Sequence, residues 1–63
     1  MEYTYEIEYK DQEGDTYSES FTYLPDARKE IKTQEDAGNE ITQTWRYVDG
    51  EYLGPIPPRN NNY

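Results

Sequence analysis

Residues 2 to 9, Glu2-Tyr3-Thr4-Tyr5-Glu6-Ile7-Glu8-Tyr9, alternate bulky and polar side chains without interruption. Successive side chains of an extended chain point to opposite faces, so Tyr3, Tyr5, Ile7 and Tyr9 share one side and Glu2, Thr4, Glu6 and Glu8 the other. The segment is predicted to be a strand with one face to bury and one anionic face to leave wet. Sixty-three residues hold one domain at most, and a chain of this size buries only about 60% of the surface its unfolded form exposes. Cys and His are both absent, which removes disulfides, zinc fingers and thiolate clusters as reinforcement. Packing, or a partner, has to supply the stability.

Lys10-Asp11-Gln12-Glu13-Gly14-Asp15 reads as a turn, with Gly14 free to take positive φ. Thr16-Tyr17-Ser18-Glu19-Ser20-Phe21-Thr22-Tyr23 then repeats the two-residue period, aromatic at most odd positions and hydroxylated at even ones. Glu19 breaks the inner face, and an edge or bulge that lets its carboxylate reach water explains it better than a catalytic acid does. Leu24-Pro25-Asp26 opens a helix, because Pro suits the first turn and Asp26 complements the positive end of the dipole. Gly38-Asn39 closes it. On a helical wheel Leu24, Ala27, Ile31 and Gln34 share a face with Ala37 at its margin, a thin apolar stripe. Arg28, Lys29 and Lys32 lie among Glu30, Glu35 and Asp36 on the rest, either a solvated mixed-charge face or a local positive patch.

Glu40 to Val48 returns to period two, and strict alternation places Ile41, Trp45 and Tyr47 on one side and Thr42, Thr44, Arg46 and Val48 on the other. Asp49-Gly50 is a two-residue hairpin signal that lets Glu51-Tyr52-Leu53 fold back as a short fourth strand. The expected architecture is α+β: an antiparallel sheet of order 2-1-3, with that short fourth strand, and one helix across the Tyr face. Residues 1–54 make the domain, and 55–63 read as a Pro- and Asn-rich extended tail that frays toward its polar end. Strict alternation also sets Arg46 across from Glu6 or Glu8. The inner face then offers ten bulky residues, Trp45 and Tyr47 included, against a helix offering mainly Leu24, Ala27 and Ile31. Either Leu53 and Ile56 fold over the surplus, or an aromatic patch rimmed by carboxylates stays open as a binding or dimer surface.

Fourteen Asp and Glu against six Lys and Arg leave a formal net charge of -8, which phosphate backbones repel. Direct nucleic-acid binding is not expected, and the acid excess serves either solubility or a basic partner. No apolar run approaches the roughly 20 residues of a membrane span, and no basic and apolar leader opens the chain, so a cytoplasmic protein is expected. Acid-base or nucleophilic catalysis would fall to carboxylates, Tyr, Lys or Ser without an evident activating neighbour, so an enzyme is not expected. Asp11, Glu13 and Asp15 lack the order of a calcium loop, and the four Gly stand singly rather than in a phosphate-cradling loop, so neither metal nor cofactor is expected.

The strand, strand, helix, strand order and the passage Ala37-Gly38-Asn39-Glu40-Ile41-Thr42 from helix end into a strand carrying Arg46 resemble small early host-takeover proteins of bacteriophages, among them the RNA-polymerase inhibitor of T7-like phages. The resemblance covers roughly residues 16 to 48 and implies a non-enzymatic factor acting on a host protein. The function expected is an acidic module that inhibits or modulates a host polymerase, nuclease or defence complex by occupying its basic surface. Glu2, Glu6, Glu8, Arg46, Tyr17 and Trp45 are the candidate partner-binding residues. The alternative is an assembly subunit that homodimerises, or adds to another sheet, through its Tyr-rich face or edge strand.

Overall fold

The computed structural model describes residues 1–57. Strands β1 (Tyr3–Lys10) and β2 (Thr16–Phe21) form a hairpin, helix α1 (Leu24–Asp36) crosses the sheet, and β3 (Glu40–Val48) and β4 (Glu51–Gly54) form a second hairpin. All neighbours are antiparallel, and the order is β2-β1-β3-β4. The expected α+β architecture is therefore present, with the short fourth strand in place. Of the extended tail expected over 55–63, residues 58–63 lie outside the described residues.

Local chemistry accounts for the element ends. In the first turn, Asp11 Oδ1 accepts the backbone N–H groups of Glu13 and Asp15, each at 2.9 Å, and Tyr17 donates its hydroxyl to Oδ2 at 3.1 Å. These backbone donors, that of Asp15 foremost, hold the Asp11 carboxyl below its ordinary value against an opposing push from burial. Helix α1 ends with Asn39 N–H donating to Gln34 C=O at 2.9 Å and Gly38 N–H to Glu35 C=O at 3.0 Å. That paired closure needs the left-handed φ of 88° that Gly38 adopts. The second hairpin turns through Asp49 at φ 50° and Gly50 at φ 83°, the left-handed pair its two-residue loop requires.

The core lies between α1 and one sheet face. Ile7 and Ala27 are fully buried, Tyr5 and Ile56 nearly so, and Tyr9, Phe21, Leu24 and Ile31 pack around them. Ile56 reaches this cluster because the chain after β4 turns back beneath the sheet. Its N–H donates to Thr44 Oγ1 at 3.0 Å, and Arg28 donates to Pro57 C=O at 3.1 Å. One of the two tail residues expected to cover surplus aromatics thus does so, while Leu53 stays exposed.

Two expectations about β3 are overturned. Between Glu8 and Tyr9 the β1–β3 register shifts: Glu8 faces Gln43 while Tyr9 faces Ile41, leaving Thr42 as an extra residue. Such a bulge resets the parity of everything after it. Ile41 stays on the core side opposite Tyr9, but Thr44, Arg46 and Val48 then oppose Ile7, Tyr5 and Tyr3, and Trp45 and Tyr47 oppose Glu6 and Thr4. Trp45 and Tyr47 accordingly belong to the outer face and Arg46 to the inner one. The Thr42 hydroxyl, 2.7 Å from Glu8 Oε1 and 3.2 Å from Glu8 C=O, fastens the bulge to β1.

Glu19 is the third correction. Its strand is an edge, as expected, but it pairs with Ile7 on the inner face, and its Oε2 is sealed from solvent without a hydrogen-bond partner. Burial first, then the charge of Glu30 on α1, push the Glu19 carboxyl above its ordinary value.

Candidate functional site

Among the described residues no helix lies on the outer face of the sheet. Alternation along β1 brings Thr4, Glu6 and Glu8 to it, the β1–β2 register adds Ser20 and Ser18 opposite Glu6 and Glu8, and the bulge in β3 adds Gln43, Trp45 and Tyr47. The β3–β4 register then sets Tyr52 opposite Tyr47, with ring centroids 5.7 Å apart and planes tilted by 58°. The result is an aromatic strip of Trp45, Tyr47 and Tyr52 running beside a carboxylate row on β1.

Trp45 and Glu6 are direct cross-strand partners, a geometry that holds Cβ atoms about 4.5–5.5 Å apart on one face. Trp45 and Tyr47 are half-buried and Tyr52 is 54% exposed, so the strip keeps part of its surface open to solvent. The Glu8 carboxylate is partly engaged by Thr42. Among the described residues no hydrogen bond or ion pair engages the carboxylate of Glu6, and the ion pair found is Lys32–Asp36 on α1. A carboxylate paired across the strands with an indole suits a cation, which the one attracts by charge and the other by its ring quadrupole.

The other candidates distribute as follows. Glu2 is exposed and precedes β1, its backbone N–H donating to Asp49 Oδ1 at 2.8 Å and its C=O accepting from Asp49 N–H at 2.7 Å, so it extends the carboxylate end of the sheet. Tyr17 lies on the inner face at the β2 edge, opposite Tyr9, with which it stacks at 5.4 Å between centroids. Its phenol is pushed up by the hydrogen bond to Asp11, and that of Tyr9 by burial. Arg46 opposes Tyr5, not Glu6 or Glu8, and its Nε is buried without a hydrogen-bond partner. The structure therefore joins Glu6, Glu8 and Trp45 and separates Tyr17 and Arg46 from them.

Tyr47 and Tyr52 escaped the candidate set. Their sequence signal is the Asp49-Gly50 hairpin, which pairs the residues flanking it, combined with the unbroken polar run Thr42-Gln43-Thr44 that marks lost alternation. Asp11, Glu13 and Asp15 form a hydrogen-bonded turn, and no group of three or more potential ligands able to hold a metal occurs among the described residues. No helix among them is long and apolar enough to cross a membrane. No family model, curated protein or solved structure matches this chain.

Proposed function

We propose that this chain is a small acidic binding module without enzymatic activity, which inhibits or modulates a host protein by occupying a basic, nucleic-acid-handling surface on it. The observation that carries the reading is the placement of Glu6, Glu8 and Trp45 together on a sheet face that no helix among the described residues covers. Aromatic anchors supply contact area in such an interface, and the carboxylates supply attraction and partner choice. A net charge of -8 steers the module toward basic proteins and away from nucleic acid itself. Self-association through this face is disfavoured, because two copies would press their Glu6 and Glu8 rows together. The setting that suits such a module is that of a phage or mobile-element accessory factor in the cytoplasm.

Capture from a host lysate, run in parallel with wild type and the Glu6→Gln/Glu8→Gln variant at low and high salt, tests the reading. The expected result is a basic nucleic-acid-handling protein held by wild type at low salt and lost with either change. A partner retained by the variant at high salt would rule the acidic-face mechanism out. Sedimentation showing a dimer that the same variant strengthens would replace it with the assembly reading.

A further inference from the structure

We propose that Glu6, Trp45, Tyr47 and Tyr52 form a subsite for an arginine side chain on an extended basic segment of the partner, with Glu8 receiving the basic residue two positions along. This rests on the acidic-face reading above and adds to it a ligand class and a spacing.

Trp45 and Glu6 are direct partners across β3 and β1, so a planar guanidinium stacked over the indole turns its N–H edge toward the carboxylate. An ammonium has no plane to lie on a ring while its donors fork onto an acid, so lysine satisfies one partner at a time. The Glu6 carboxylate makes no intramolecular hydrogen bond or ion pair among the described residues, so binding breaks no existing contact there. Tyr47 and Tyr52, packed against each other at 5.7 Å, wall the strip on its β4 side. Glu6 and Glu8 are two residues apart on one strand, about 6.5–7 Å, and an extended segment repeats its same-side chains at the same distance. Alternating basic residues therefore match the carboxylate row where consecutive ones do not. Electrostatic complementarity selects the occupant: among residues that the strand registers place on this face, Lys10 at the β1 end is the one cation.

Trp45 is the single tryptophan of the chain, so its emission and its indole N–H resonance report on this face alone. The probes are short capped peptides of alternating arginine and serine, alternating lysine and serine, and the arginine composition with its arginines consecutive, each titrated at low salt. The alternating arginine peptide is expected to shift the Trp45 signals and to bind more tightly than the other two. Glu6→Gln, a solvent-face change whose folding is checked by circular dichroism, should weaken it about tenfold, the effect of losing one hydrogen bond to a charged group. Equal affinity for the lysine peptide would overturn the arginine assignment, and equal affinity for consecutive arginines would overturn the spacing. Salt-sensitive binding of all three with Trp45 signals unmoved would overturn the subsite while leaving the broader acidic-face reading intact. Failure of every peptide to bind at low salt would overturn both.

Discussion

Glu19 is the residue at which local sequence and final environment disagree most. It occupies an inner position of β2 opposite Ile7, beneath α1, with Glu30 beside it and Tyr9 close enough for both carboxylates to raise its phenol. Desolvation and a like charge both favour the protonated acid, so the folded protein holds this proton more tightly than the unfolded chain. The sign follows from linkage: Glu19 contributes stability at pH below its ordinary carboxyl value of 4.5, and that contribution is lost as pH rises through the higher folded value. Asp11 has the opposite sign, its folded value being lowered, so its contribution is present at neutral pH and lost in stronger acid. Glu19→Gln is therefore expected to be more stable than wild type in urea at neutral pH, the advantage shrinking toward about pH 4. A variant less stable at both pH values would show that the charged carboxylate is favoured where it lies.

At the scale of elements, most of the fold was legible and one strand was misread. Pro25, Asp26 and Gly38 announced both ends of α1, the wheel containing Leu24, Ala27 and Ile31 identified its buried stripe, and Asp49-Gly50 announced β4. These features are written in short-range chemistry. The β3 bulge is not, because a single extra residue is decided by competition between registers on a neighbouring strand, and hydropathy parity carries no record of it. Parity read through Thr42 sends Trp45 and Tyr47 inward and Arg46 outward, the reverse of what is found. Of the six candidate residues, two therefore lie on the face opposite to the one alternation predicts, Trp45 outside and Arg46 inside, while Glu6 and Glu8 keep the outer face that β1 gives them. Since Ile41 opposite Tyr9 and Gln43 opposite Glu8 flank the extra residue, removing it should regularise β3 and leave both faces as they are. Deletion of Thr42 is thus expected to fold, with Trp45 emission unchanged and a loss of about 1 kcal/mol from the missing hydroxyl contact. A marked blue shift of Trp45 on deletion would mean that the bulge does not set the faces.

For the whole molecule, the difficulty is covering a four-stranded sheet with a single 13-residue helix. Two devices resolve it. The bulge exports Trp45 and Tyr47 from the face needing cover, and the chain after β4 returns Ile56 to the space α1 leaves. A domain this small has few buried side chains to lose, and Ile56 is one of four buried hydrophobic residues among those described. Ile56→Ala is expected to cost roughly 2–4 kcal/mol by urea unfolding, a large share of the stability of a small domain. Leu53→Ala, at a residue 45% exposed, should cost far less. Equal losses at the two positions would remove Ile56 from the core. The same export that solves the packing problem leaves aromatic and anionic groups side by side on the open face, which is why core and candidate site have one origin.

Collisional quenching of Trp45 by caesium, iodide and acrylamide tests that origin most directly. With the indole on the outer face beside Glu6, acrylamide should reach it, caesium should quench more strongly than iodide, and Glu6→Gln should narrow the difference between the ions. An indole shielded from all three quenchers, as a ring under α1 would be, would contradict the placement of Trp45 and the site built on it.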